Sequence, residues 1–102
     1  MVQATTPTFV LTLPNTLDLS TASKVTFTIS QDNGNVVINK SDSELDINAN
    51  VVSVYLSQEE TLQFSHFIDA QIQLNWVYLD GSRACSEIKD VVVGENLHKA
   101  VF

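Results

Sequence analysis

The chain has 102 residues, 44% of them hydrophobic and 17% charged, and its formal net charge is −7. This length favours one domain with its own core, and we expect a single domain over residues 1–102. Nucleic acids and anionic membranes are bound through clustered Lys and Arg, so the acidic balance argues against both as partners. The chain also lacks a run of about 18 apolar residues and a signal peptide at Met1–Thr8, which predicts synthesis in a cytoplasm.

Composition and alternation predict an all-β chain. It contains 28 β-branched residues, which favour pleated surfaces over helices. Period-2 alternation predicts strands at Thr8–Leu13, Lys24–Ser30, Val36–Lys40, Leu45–Ile47, Val51–Leu56, Ile68–Tyr78 and Ser82–Val93.

The first half of the chain gives clear faces and turns. Val25, Phe27 and Ile29 alternate with threonines, which predicts a strand with one wet side. The turn residues at 32–35 then predict a hairpin.

A short helical element is predicted between the fifth and sixth strands. Ser57 and Glu60 have the spacing of a capping box, which predicts one helical turn at Gln58–Leu62. The nearby apolar side chains expected to hold this turn against the core are Leu62, Phe64 and Phe67.

The last hairpin begins with the longest predicted strand. Its expected core face consists of Ala70, Ile72, Leu74, Trp76 and Tyr78. Asp80-Gly81 predicts a type I′ turn, with positive φ at both residues. On the returning strand, Ala84, Ser86 and Ile88 are expected on one face, and residues 91–93 suggest burial on both sides or a bulge.

About seven short antiparallel strands cannot bury their apolar faces in one sheet. We therefore predict an immunoglobulin-like antiparallel β-sandwich with one short helical turn. An antibody-type domain is disfavoured, because Cys85 is the only cysteine and Trp76 falls on the sixth strand. Cys85 itself is expected to be a small apolar filler.

The residues that carry chemistry form no persuasive site. Asp42, Glu44 and Asp46 alternate as calcium ligands do, but the glycine of an EF-hand loop is missing, and we expect a solvated edge strand. His66 and His98 have no nucleophile in a recognised setting. We expect no cofactor, no metal and no enzymatic activity.

Two surfaces are candidates for binding. Gln71, Gln73 and Asn75 form an amide stripe on the outer face of the sixth strand, which is either an interaction surface or an ordinary wet face. Residues 94–102 form a possible apolar C-terminal arm carrying Leu97, Val101 and Phe102. The arm either folds back onto its own sandwich or docks on a neighbouring subunit.

Three stretches carry a resemblance to a known group of proteins. They are TPTFVLTLP at Thr6–Pro14, VYLSQEETLQF at Val54–Phe64 and QLNWVYLDGSRACSEI at Gln73–Ile88. The chain resembles small proteins from the structural gene regions of tailed phages and prophages of Gram-positive bacteria. It is similar, more distantly, to the N-terminal sandwich domain of baseplate upper proteins.

The resemblance implies a non-enzymatic virion or assembly component, present in the host cytoplasm before assembly. Its expected partners are other phage structural proteins, further copies of itself, or both. The alternative is a β-sandwich module that binds carbohydrate or a cell surface.

Overall fold

A computed structural model describes residues 1–98, so the predicted arm residues Val101 and Phe102 lie outside the described part of the chain. The strands are β1 (Thr8–Thr12), β2 (Lys24–Gln31), β3 (Val36–Ser41), β4 (Leu45–Asn48), β5 (Val51–Tyr55), β6 (Ala70–Val77), β7 (Arg83–Cys85) and β8 (Lys89–Val91). Helical structure is limited to α1 (Gln58–Thr61) and 3₁₀ turns at Leu19–Thr21 and Asp42–Glu44 within residues 1–98.

The strands form two antiparallel sheets, and the prediction of an immunoglobulin-like sandwich is confirmed. One sheet has the order β1-β5-β4 and the other β3-β2-β6-β7, with β8 also pairing with β6. An immunoglobulin sandwich carries strands B-E-D in one sheet and C′-C-F-G in the other. The described strands reproduce this order if β1 corresponds to strand B, so the position of strand A beside β1 holds no strand.

The core lies between the sheets because each strand turns its apolar side chains inward. Along β2, Val25, Phe27 and Ile29 are buried as predicted, and the threonines between them are only half-buried. The rings of Phe9 in β1 and Phe27 in β2 are 5.9 Å apart, which joins the two layers. The other large, fully buried apolar side chains are Leu19, Val52, Val54, Leu56, Phe64 and Leu74.

The capping box predicted for α1 is confirmed. The Glu60 backbone N–H donates to Ser57 Oγ at 3.2 Å, and the Ser57 N–H donates to Glu60 Oε1 at 2.9 Å. Phe64 is buried as expected, but Phe67 is 83% exposed, so its predicted place in the core was wrong.

A buried glutamine explains why the strand after α1 begins later than predicted. Gln31 is 3% exposed and donates through Nε2 to the carbonyls of Ser65 and Ile68, each at 2.6 Å. It also accepts the Ser65 N–H at 2.8 Å. These bonds hold residues 65–68 in a loop, and β6 starts only at Ala70.

The β6–β7 turn differs from the predicted type I′ turn. Of its residues only Gly81 has positive φ, at 87°, and the Gly81 N–H donates to the Tyr78 carbonyl. This is a three-residue loop with glycine in the left-handed position. The Ser82 hydroxyl and N–H both donate to Asp80 Oδ1, which lowers the pKa of Asp80. Tyr78 is 38% exposed, so it does not extend the core face.

A bulge divides the returning strand and overturns part of its predicted face. Two residues of β6 separate Ile72 from Asn75, whereas three residues separate their partners Lys89 and Cys85. The extra residue reverses the inward and outward positions beyond it. Ile88 therefore lies outside, 59% exposed, while Ala84 stays opposite buried Trp76.

Candidate interaction surfaces

The amide stripe lies where the sequence predicts it. Gln71, Gln73 and Asn75 stand on the outer face of the five-stranded sheet, paired with Ser30, Thr28 and Thr26 of β2. Two of the three amides are engaged within the sheet. Gln73 Nε2 donates to the Ser86 carbonyl at 2.9 Å, and Gln71 Nε2 donates to Asp90 Oδ1 at 3.4 Å. The stripe consists of amides beside the hydroxyls of β2, and Asp90 and Ile88 lie next to it.

The C-terminal arm is bound to the domain at Gly94, but its first large apolar side chain is not packed. Leu97 is 93% exposed, the highest exposed fraction among the large hydrophobic residues of the described chain. An apolar side chain this exposed gains most by packing against another surface.

Two of the three alternating acidic residues at positions 42–46 accept hydrogen bonds from backbone N–H groups. Asp42 Oδ1 accepts the backbone N–H of Val25 at 3.1 Å, and Glu44 Oε1 accepts that of Ser41 at 3.3 Å. Asp46 lies on β4, an edge strand of its sheet, as expected. Within residues 1–98, no three His, Cys, Asp or Glu side chains converge as a metal site requires.

One ion pair fixes α1 to the edge of the five-stranded sheet. Lys40 Nζ lies 2.7 Å from Glu60 Oε2, and both side chains are largely buried. Burial raises the pKa of Glu60, but the hydrogen bond from Lys40 and the bonds to Ser57 outweigh it and lower the pKa below its ordinary value. Glu60 is therefore a charged cap at neutral pH.

An apolar groove between the sheets was not predicted from the sequence. A groove of about 550 Å³ opens between the sheets, along the side where β1 faces β7 and β8. Its apolar wall consists of Leu11, Leu13, Leu17, Ile72 and Trp76. Trp76 is only 4% exposed, as predicted for the core, and its Nε1 has no hydrogen-bond partner in the described chain. Buried indole N–H groups usually have a partner.

One rim of the groove is the free edge of β1. The N–H of Leu13 donates to the Asn50 carbonyl and that of Leu56 to the Pro7 carbonyl. Hydrogen-bonded and non-bonded pairs alternate in an antiparallel ladder, so the odd residues of β1 bond to β5. The N–H and C=O groups of Thr8, Val10 and Thr12 therefore point away from β5, towards the vacant position of strand A.

The opposite rim is the bulged segment between β7 and β8. Lys89 lies opposite Ile72 on the groove side, and Glu87 also lines the groove. Cys85 is exposed at this rim and is not the buried filler that the sequence predicted. The rim is thus charged and polar, whereas the wall is apolar.

Beyond the groove, the N-terminal segment covers part of the same side. Val2 forms a parallel bridge with Gly94. The Gln3 N–H donates to the Gly94 carbonyl at 3.0 Å, and the Gly94 N–H donates to the Met1 carbonyl at 2.6 Å. Gln3 is buried and its Nε2 donates to the Phe64 carbonyl. An added segment can therefore pair along this side of the sandwich, and the groove is the part that residues 1–98 leave open.

No helix among the described residues has the length and apolar character needed to cross a membrane. Comparisons with protein-family models, with curated proteins and with solved structures find no match to this chain.

Proposed function

We propose that this chain is a non-enzymatic structural or assembly subunit of a phage or prophage particle, acting through contacts with copies of itself or with other structural proteins. The observation that carries the proposal is the arm that starts at Leu97, which is 93% exposed. The same arm continues in sequence to Val101 and Phe102, so it contains three large apolar residues. The assignment to a phage or prophage particle rests on the resemblance of the sequence to proteins encoded in phage structural gene regions.

The arm is tested on the purified protein by sedimentation velocity over a range of concentrations. Deleting residues 97–102 is expected to weaken self-association while leaving a β-rich circular dichroism spectrum, because the strands of both sheets end before Leu97. The matched control replaces Val37, which is 45% exposed on the edge strand β3, by Ser. Unfolding of the deletion variant would instead assign the arm to the core of its own domain.

The particle is tested separately, by mass spectrometry of particles purified after prophage induction in the host that encodes the chain. The proposal predicts stoichiometric amounts of the chain in particles, and fewer copies when the arm is deleted. Its absence from purified particles would reject a virion role whatever the purified protein does in solution.

A second candidate, a carbohydrate-binding module, draws on the amide stripe and the hydroxyls beside it. Glycan sites favour aromatic platforms next to such groups. Of the exposed aromatic residues, Tyr55 lies on β5 in the other sheet and Tyr78 follows the end of β6. Phe67, in the loop before β6, reaches the stripe only at its Gln71 end, where both residues line one surface cavity. A specific signal on a glycan array that is lost in Gln73→Ala would favour this candidate over the first.

A further inference from the structure

Edge strands that present unpaired backbone groups tend to pair with other chains, and proteins usually protect them with charge, proline or bulges. Three edges of this sandwich are protected in this way. Asp46 lies in β4 and Lys40 in β3, and the β7–β8 edge has its bulge together with Arg83 and Lys89. β1 is the exception, because its sequence, TFVLT, contains no charge, no proline and no bulge.

The unprotected edge also borders the apolar groove. Thr8, Val10 and Thr12 direct backbone donors and acceptors outward, and Leu11, Leu13 and Trp76 provide an apolar wall beside them. An extended peptide satisfies both features, since its backbone pairs with the edge and alternate side chains enter the groove. A compact ligand would fill the groove without pairing the strand, so the edge favours a β-strand as the occupant.

We propose that the open edge of β1 receives an additional strand, supplied by residues 97–102 of a second copy of the chain. This inference rests on the proposed function, because it identifies where the arm of one subunit binds. The added strand takes the vacant position of strand A, between β1 and the β7–β8 rim. Strand exchange of this kind joins subunits through backbone hydrogen bonds and requires no change in either sandwich.

Three observations select this occupant. Leu97 is 93% exposed, so its side chain is not packed on its own sandwich, although the arm is bound to the N-terminal segment at Gly94. The sequence LHKAVF has apolar residues on both faces of an extended strand, with Ala100 and Phe102 on one and Leu97 and Val101 on the other. The rim carries both Glu87 and Lys89, and the proposed pairing places Lys99 at Glu87, in a chain whose net charge of −7 otherwise opposes contact between copies.

The first test removes the pairing capacity of the edge without removing a β1–β5 hydrogen bond. In Val10→Pro, the lost N–H is one that points away from β5, and proline is tolerated at such positions of edge strands. The matched control, Val10→Thr, keeps the N–H and a β-branched side chain. We expect Val10→Pro to weaken self-association by at least about tenfold and Val10→Thr to change it by less than about twofold, in sedimentation velocity. Circular dichroism and thermal unfolding check that both variants fold.

The second test locates the arm directly in the full-length chain. A benzophenone amino acid replaces Phe102, equal amounts of ¹⁴N- and ¹⁵N-labelled protein are mixed, and the cross-linked peptides are mapped by mass spectrometry. The proposal predicts links between differently labelled copies, at residues 8–14 or 85–89. This readout does not depend on the folding of a proline variant.

Each other outcome overturns the inference in a recognisable way. Links to the groove within one copy would assign the arm to its own sandwich. Links between copies elsewhere, with Val10→Pro associating as the wild type does, would reject strand addition but leave the subunit proposal intact. If the wild type neither associates nor cross-links at any concentration, the inference fails, and only the composition of purified particles decides the proposed function.

Discussion

Trp76 offers the sharpest test of how the two sheets are packed. It lies on the core face of β6, is 4% exposed and forms part of the groove wall. A tryptophan buries about 150–250 Å² in a protein interior, which at about 25 cal/mol per Å² corresponds to roughly 4–6 kcal/mol. The unpartnered indole N–H offsets part of this gain, because a buried polar group without a partner costs about 1–3 kcal/mol.

We therefore expect Trp76→Ala to lower the free energy of unfolding by about 3–5 kcal/mol, in the range found for truncating buried aromatic residues. The measurement is urea unfolding followed by circular dichroism, since Trp76 is the only tryptophan and its fluorescence is lost in the variant. With a slope of about 1–2 kcal/mol per molar urea, the midpoint falls by roughly 1.5–5 M.

Trp76→Phe is the matched control. It keeps an aromatic ring on the core face and removes the N–H that has no partner, so the expected change is about 1 kcal/mol or less. A near-neutral Trp76→Ala would refute the assignment of this side chain to the core. If Trp76→Ala and Trp76→Phe lowered the free energy of unfolding equally, the stabilisation by Trp76 could not be assigned to apolar packing of its ring.

Two further predictions concern polar groups that organise the chain around α1. Gln31→Ala removes three hydrogen bonds to Ser65 and Ile68 and is expected to lower the free energy of unfolding in urea by about 1–3 kcal/mol. The control, Gln71→Ala on the exposed face, should leave it nearly unchanged. Similar losses in the two variants would contradict the role given to Gln31. The pKa of Glu60 is lower in the folded chain than its ordinary value of about 4.3 in the unfolded chain. As the pH falls, the unfolded chain therefore takes up this proton at a higher pH than the folded chain does. The free energy of unfolding consequently falls as the pH drops through the folded pKa. Glu60→Gln should reduce this loss when unfolding free energies are compared between neutral and acidic pH, and unchanged pH dependence would refute the contribution of the Lys40 pair.

Most of the fold was predictable because the buried face of a strand follows from the alternation of apolar and polar residues within that strand. Val25, Phe27 and Ile29 alternate with polar residues, and a pleated strand converts that alternation directly into a buried face. The capping box at Ser57 and Glu60 was predictable for the same reason, since its two bonds join residues three positions apart.

The errors arose where a local pattern was overruled by distant residues. Ile68 continues the apolar alternation of β6, but Gln31 bonds to the loop at Ser65 and Ile68 and delays the strand to Ala70. Ile88 shares the alternation of Ala84, but the bulge shifts the register by one residue and turns it outward. Alternation predicts a face only as long as the pairing register is continuous.

The groove could not be predicted because it depends on which strands become neighbours. Leu11 and Leu13 belong to one predicted strand and Trp76 to the core face of another, and nothing in their spacing shows that the sandwich stays open between β1 and β7. The amide stripe, in contrast, followed from the alternation of one strand and lies on the outer face as predicted. A surface made by one strand can be inferred from sequence, whereas one made between sheets requires the strand order.

The distribution of charged residues of both signs along the sheet edges gives them a more specific meaning than solubility. Asp46 and Lys40 lie on β4 and β3, and Arg83 on β7, so all edges except β1 carry charged residues that discourage uncontrolled strand pairing. If charge served only to keep the chain soluble, the uncharged edge would not have to coincide with the apolar groove. The two coincide along β1, so this is the edge at which the proposed strand addition meets no charged residue of the strand. A net charge of −7 on each chain opposes contacts elsewhere between copies, in line with the proposal that copies meet at this one edge.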